Sequence, residues 1–141
     1  MVPLNYGAPK TAARLAHQAR HTAGTRPTAA ATPATAVAAR AYALNHQNEQ
    51  ARAALEAADA LMDRLPESER SDTWLTYGEQ KHHVHLSHAF TTLADTRRAN
   101  ESQHRALELS APTSTMTRTL LNIDAAACSR ALAMDEAKAH E

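Results

Sequence analysis

Alanine supplies most of the apolar surface of this chain, and that fact limits the folds it can adopt. The 141 residues include 33 alanines, 18 leucine, isoleucine or valine residues and five aromatic residues. Alanine is the strongest helix former, whereas only four residues are both apolar and β-branched, the type that favours strands. The composition therefore predicts an all-α protein of one domain, with small residues at its helix contacts.

Prolines, glycines and capping residues divide the chain into about seven predicted helices. Thr32 followed by Pro33 is typical of a helix start, and Asp95 can cap the fifth helix. Either Asp72 or Thr73 can cap the fourth. The predicted helices cover residues 10–23, 33–46, 48–65, 74–94, 95–109 and 114–132, and a seventh follows Asp135.

Two of these helices have apolar residues on two sides. The fourth carries Leu75, Leu86, Ala89 and Leu93 on one side and Trp74, Tyr77 and Val84 on another. The sixth carries Met116, Leu120 and Ile123 on one side and Leu121, Ala125, Cys128 and Leu132 on the other. A helix with two apolar sides needs neighbours on both, so stacked helical hairpins are expected.

A recurring pattern of small and bulky residues relates the hairpins. The helices align on Ala12, Ala51, Ala99 and Ala137, and the bulky residue nine positions earlier is Tyr42, Phe90 or Cys128. The turn inside each hairpin is expected at Gly7, His46, Ala94 and Leu132. This pattern resembles the tetratricopeptide repeat, in which two antiparallel helices meet at small residues. The alignment points lie 39, 48 and 38 residues apart rather than the usual 34, so the repeats are degenerate.

The resemblance implies a right-handed α-solenoid of about three to four tetratricopeptide-like hairpins. They would span residues 7–24, 32–65, 73–110 and 113–141, the first and last being partial. A homodimer through the apolar faces of the terminal hairpins is a further hypothesis.

Longer strings carry a second resemblance. ARAYALNHQNEQARAALEAADALMDRL (39–65) and SDTWLTYGEQKHHVHLSHAFTTLADTRRANESQHRALEL (71–109) are similar to the C-terminal repeat region of actinobacterial helix-turn-helix transcription regulators of the Xre type. The resemblance implies a segment that binds a partner or senses a signal and normally follows a DNA-binding domain. The residues before Gly7 are too few for a helix-turn-helix, so we expect either a stand-alone relative or the tail of a longer protein.

Charge and cysteine content limit the classes of partner and the cellular compartment that can be expected. The first 50 residues carry five basic groups and one acidic group, and the rest carry ten and fourteen. This charge is not concentrated enough to predict direct contact with DNA or RNA. Cys128 is the only cysteine, which favours a reducing compartment. No segment approaches the ~20 apolar residues of a membrane helix, so a cytoplasmic protein without membrane contact is expected.

Four of the nine histidines lie in GEQKHHVHLSHAF, at 78–90. On a helical wheel, His82 and His88 lie on two different apolar sides, His85 lies between them and His83 faces solvent. Because the rings diverge and a closed zinc site needs four ligands, no metal site is predicted. A metal-responsive or pH-responsive protein that uses the His82–His88 helix remains an alternative.

No catalytic motif is recognisable in the sequence. A glycine-rich phosphate loop, a nucleophile elbow and paired carboxylates in an apolar setting are all missing, so we predict no catalytic residue, no cofactor and no enzymatic activity. Asp124 interrupts an apolar stretch and should pair with a neighbouring helix, with Arg40, Arg105 and Arg118 as candidates. Cys128 should be a small core residue.

The tetratricopeptide resemblance also implies a concave groove, lined by the first helix of each hairpin. The predicted groove residues are Arg40, Trp74, Tyr77, Lys81, Val84, His88, Asn122 and Arg130. Their cationic, aromatic and amide groups suit an acidic or extended peptide. The alternative is an ordinary solvated face on which a neighbouring hairpin covers both Trp74 and Tyr77.

The expected function is therefore that of a non-enzymatic protein-interaction or signal-sensing module linked to transcription regulation. Its partner would be a protein or a peptide. The alternative is a receptor for a small ligand or a signalling peptide in the same groove.

Overall fold

A computed structural model describes residues 2–73 and 76–139, without the side chains of residues 2 and 3. The helices are α1 (Val2–Asn5), α2 (Pro9–Ala23), α3 (Ala31–Leu44), α4 (Asn48–Arg64), α5 (Glu79–Thr92), α6 (Thr96–Leu109) and α7 (Thr115–Ala139), with a short 3₁₀ turn at Glu67–Glu69. Within these described ranges there is no β-strand, and the predicted all-α class is confirmed.

The helix α5 begins later than predicted. It starts at Glu79 instead of residue 74, and residues 76–78 are not helical. The Asp72 carboxylate accepts hydrogen bonds from the backbone N–H groups of Gly78 (3.2 Å), Gln80 (2.9 Å) and Lys81 (3.2 Å). Asp72 therefore caps this helix, as predicted, but does so across a loop that folds back over the first turn.

Glycine at position 78 is what allows this loop to approach so closely. A Cβ atom on residue 78 would lie 2.5 Å from both the backbone oxygen of Arg70 and the Asp72 carboxylate. No side chain fits there without movement of the backbone. The start of α5 is thus set by a tertiary contact rather than by local helix propensity.

The prediction of two helices after residue 114 is wrong. The structure has a single helix, α7, of 25 residues, and the turn expected at Leu132 lies inside it. The reason is that the chain between Leu132 and Asp135 contains alanine and methionine but no proline or glycine to end a helix. The short α1 was not predicted, and its Leu4, which is 6% exposed, packs against Ala12, Ala13 and Ala41.

Two hairpin turns share one backbone geometry. His46, between α3 and α4, has φ 59°, and Ala94, between α5 and α6, has φ 56°. In each turn the next residue donates its N–H to the carbonyl five residues earlier: Gln47 to Tyr42 at 2.9 Å, and Asp95 to Phe90 at 3.0 Å. These bonds close the helix ends in the manner of a Schellman motif.

The helices pack mainly against their neighbours in the chain. α3 contacts α2, α4 and α5, while α5 also contacts α6 and α7. The largest core cluster contains Ala39, Ala54, Leu55, Leu86, Ala89, Phe90, Ala99 and Cys128, with Tyr42 and Leu93 at its edge. Small residues therefore form most of the helix contacts, as the composition predicted. Of the aligned alanines, Ala51 and Ala99 are fully buried, whereas Ala137 is exposed.

Candidate functional site

A buried carboxylate joins α5 to α7. Asp124 is only 4% exposed, and it accepts hydrogen bonds from the Ser87 hydroxyl at 2.7 Å and from Nδ1 of His88 at 3.2 Å. Ser87 is fully buried, whereas the His88 side chain is 35% exposed. The carboxylate thus lies beneath the surface, and one of its two hydrogen-bond donors reaches solvent.

Arg40 connects this carboxylate to α3. Its Nη1 donates to Nδ1 of His85 at 3.2 Å, which links α3 to α5. Burial lowers the pKa of Arg40, and the nearby charge of Asp124 opposes that shift. A polar network therefore runs from α3 through α5 to α7, with a cation and an anion inside the helix contacts.

The partners of Asp124 agree only in part with prediction. Arg40 acts on it through charge, but the hydrogen-bond donors are Ser87 and His88, which the sequence pattern did not indicate. Arg105 pairs with Glu79 at 3.1 Å instead, so that candidate was wrong. The difference arises because Asp124 points at α5, while Arg105 projects from α6 towards the start of α5.

A second set of hydrogen bonds joins α5 to α4. His82 is 3% exposed; its Nδ1 accepts from the Tyr77 hydroxyl at 3.1 Å, and its Nε2 donates to Asp59 at 2.7 Å. Burial, followed by the charges of Asp72 and Asp59, raises the pKa of Tyr77, so the phenol keeps its proton. Tyr77 is 4% exposed and belongs to the core beside Met62, and its ring is therefore covered.

His82, His85 and His88 have different hydrogen-bond partners, although the rings of His82 and His83 lie 5.9 Å apart. One of the four histidines is placed differently from the prediction. His83 is half-buried instead of facing solvent; its Nδ1 is buried without a partner among the described residues, and burial lowers its pKa. Within residues 2–73 and 76–139, no three histidine, cysteine or acidic side chains are grouped as ligands for a metal ion.

Lowering the pH from 7 to 5 is expected to reduce stability through His85, which is 9% exposed. Burial, and then the charges of Arg40, His82 and His88, lower the pKa of His85 from 6.5 to about 3. The unfolded chain takes up this proton below pH 6.5, but the folded chain does not until about pH 3. The contribution of His85 to the free energy of unfolding is therefore fully present above pH 6.5. It decreases as the pH falls, by about 2 kcal/mol at pH 5.

Urea unfolding at pH 7 and pH 5 measures this effect. His85→Gln, which can still accept from Arg40, should show a smaller loss between the two pH values than the wild type. His104→Gln is the matched control, because the His104 side chain is 80% exposed, and it should behave like the wild type. An unchanged pH dependence in His85→Gln would contradict the assignment.

The remaining predicted groove residues do not form one surface. Lys81 holds the loop before α5, because its Nζ donates to the backbone oxygens of Thr73 and Thr76. On a helical wheel, Asn122 lies about 160° away from Asp124 and points away from α5, whereas Arg130, about 120° away, lies on the same side of α7 as Ile123. Both are exposed.

Only part of the predicted groove therefore stays together. Val84 is half-buried and shares one side of α5 with His88. Arg40 reaches the same network from α3. Trp74 lies outside the described residues.

A row of apolar side chains on α7 is exposed beside this network. We call it the α7 stripe; it comprises Met116 (76% exposed), Leu120 (41%), Ile123 (58%) and Met134 (61%). Leu120 lies one turn before Asp124 and Ile123 directly precedes it, so the stripe borders the His88–Asp124 pair. We call Val84, His88 and the α7 stripe together the α5–α7 surface.

The sequence pattern indicated three of these four residues, Met116, Leu120 and Ile123, but not their exposure. Both apolar sides of this helix were expected to have neighbours, and the structure covers only part of one, with Leu121 1% and Cys128 3% exposed but Leu132 46% exposed. Cys128 is a buried residue, as predicted, and lies near Gln103 and Thr91. Periodicity identifies apolar sides, but it does not say which of them a neighbouring helix will cover.

No helix among the described residues has the length and apolar character needed to cross a bilayer. Comparison of the chain with protein-family models, curated protein sequences and solved structures finds no match.

Proposed function

We propose that this chain is a non-enzymatic module that binds a protein or peptide partner on the α5–α7 surface. The observation that carries the proposal is the α7 stripe, in which four large apolar side chains are between 41% and 76% exposed on one side of a helix. Met116, Leu120 and Ile123 follow one another along this side, and contiguous exposed apolar surface is typical of interaction sites in proteins. The His88–Asp124 pair beside it supplies a hydrogen-bonding group of fixed orientation.

Within this proposal the fold is a right-handed solenoid of about three to four tetratricopeptide-like hairpins. The shared turn geometry at His46 and Ala94 and the full burial of Ala51 and Ala99 support it. Packing of each helix mainly on its chain neighbours is also what a solenoid requires. The relation to Xre-type regulators and the cytoplasmic location stay predictions, as does the small-ligand receptor in the same groove.

The shape of the stripe favours one kind of partner. From Met116 to Met134 the stripe is roughly 27 Å long, at about 1.5 Å per residue. An amphipathic helix of about five turns has a matching apolar side, and its polar flank would meet His88. We therefore propose a partner that presents such a helix, and the predicted homodimer is the case in which that helix is α7 of a second copy.

The proposed surface is tested by replacing Leu120 and Ile123 together with glutamate. Both side chains are exposed, so the folded state should tolerate the change, while the charges would be buried at the interface. Loss of two central apolar contacts should weaken partner binding by at least about tenfold. The measurement is affinity capture from the native host with quantitative mass spectrometry, together with sedimentation of the purified protein to detect a second copy.

The matched control replaces Leu109 and Leu132, which are 38% and 46% exposed, with glutamate. It adds the same charge and removes a similar, slightly smaller exposed apolar area away from the stripe. Capture by the control should equal that of the wild type. Equal capture by the Leu120→Glu, Ile123→Glu variant, with an unchanged melting temperature, would show that the surface is not the binding site.

A further inference from the structure

A cleft separates the last turns of α2 and α4. It has a volume of about 570 Å³. Its α2 wall carries His17, Arg20 and His21, and its α4 wall carries Ala60, Leu61 and Arg64. Small-molecule sites commonly have volumes of about 300–1,000 Å³, so the cleft is of suitable size for a small ligand. It lies away from α5 and α7, and a ligand bound in it would not touch the proposed partner surface.

The charge in this cleft is of one sign. No acidic side chain lines it, and among the described residues neither Arg20 nor Arg64 forms an ion pair. The acidic residues of the same part of α4, Glu56, Asp59 and Asp63, line other cavities, next to α5. The guanidinium groups are therefore available to an anion from solvent.

Basic residues near helix ends have an ordinary explanation as well, since they offset the negative end of the helix dipole. That explanation covers Arg20 and His21 in the last turn of α2, and Arg64 in the last turn of α4. It does not account for His17, which lies a turn earlier, or for the convergence of both helix ends on one cleft. Nor does it explain why Ala57, Ala60 and Leu61 line the α4 wall beside Arg64.

We propose that this cleft binds a small amphipathic anion. Arg20 and Arg64 bind its carboxylate or phosphate head, because a guanidinium donates two parallel hydrogen bonds to either group. Leu61 and Ala60 contact its apolar body. The cleft thus combines cations on both walls with apolar surface on the α4 wall, which defines a ligand class that neither feature would select alone.

Isothermal titration calorimetry with four probes tests the class of ligand. Decanoate and decyl phosphate share the proposed chemistry and differ in head group, whereas acetate lacks the apolar body and decyltrimethylammonium reverses the charge. We expect one molecule of decanoate or decyl phosphate to bind per chain, and at least about tenfold weaker binding of the other two probes. The tighter of the two anions identifies the head group.

Two double variants locate the site. Arg20→Ala with Arg64→Ala should weaken binding of the anionic probe at least about tenfold. Arg14→Ala with Arg97→Ala removes the same charge from exposed positions outside the cleft and should bind as the wild type does. The proposal would be overturned by any of three results: equal weakening in both variants, equal affinity for the cationic probe, or no saturable binding of either anion. Because none of these residues belongs to the α5–α7 surface, failure here leaves the partner proposal standing.

Discussion

Replacing Asp124 with alanine is expected to lower the free energy of unfolding by about 3 kcal/mol or more, the usual cost of removing one partner from a buried charged pair. The carboxylate is 4% exposed and accepts from both Ser87 and His88. Without it, the Ser87 hydroxyl is buried with no acceptor for its proton, and Arg40 loses the anion that offsets the cost of burying its charge. Each of these losses acts on the contact between α5 and its neighbours.

Urea unfolding followed by circular dichroism measures the effect, with two controls. Asp135→Ala removes an exposed carboxylate from the same helix and should change the free energy of unfolding by less than about 0.5 kcal/mol. Asp124→Asn keeps an acceptor for Ser87 but loses the charge. Its free energy of unfolding should therefore lie between those of Asp124→Ala and Asp135→Ala. If Asp124→Ala were as stable as Asp135→Ala, the network would be incidental to the packing of α7 on α5.

Much of the fold could be predicted because the signals are local. Asp95 caps α6, with its carboxylate accepting from the backbone N–H of Arg98 at 3.3 Å, as its position before a helical pattern indicated. Fully buried Ala51 and Ala99 stand where the recurring pattern requires small residues. In both cases, the physical cause lies within a few residues of the feature predicted.

The errors concern features that depend on a contact made across a loop or on the absence of a sequence signal. The start of α5 depends on Asp72 reaching back over the helix and on the lack of a Cβ atom at Gly78. The continuity of α7 follows from the lack of any helix breaker after Leu132, where an aspartate alone was interpreted as a cap.

The candidate sites were harder to predict than the helices. A helical wheel separates His82 from His88, but it does not identify Asp124, 36 residues further on, as the partner of His88. The cleft between α2 and α4 was missed altogether, because Arg20 and Arg64 line one cavity only when the fold brings the ends of two helices that are not adjacent in sequence to the same cleft. The spacing of His17, Arg20 and His21 on one side of a helix was the available signal.

Replacing Phe90 with alanine tests whether equivalent positions in the recurring pattern contribute equally to the free energy of unfolding. Phe90 is 5% exposed and lies in the largest core cluster together with Leu86 and Ala99, so its removal should cost about 3–5 kcal/mol. Tyr42 holds the matching place between α3 and α4, but it is only half-buried. Tyr42→Ala should therefore cost clearly less, since part of the ring surface is already in water in the folded state.

A third variant keeps this comparison measurable if Phe90→Ala does not fold. Phe90→Leu retains most of the apolar volume and should cost less than about 1.5 kcal/mol. Chemical denaturation of all three variants then ranks them, with Phe90→Ala the least stable. Equal losses at Phe90 and Tyr42 would mean that the pattern alone determines the energetics. The expected inequality would mean that burial in the core cluster, to which α6 and α7 contribute Ala99 and Cys128, determines which copy of the pattern forms the centre of the fold.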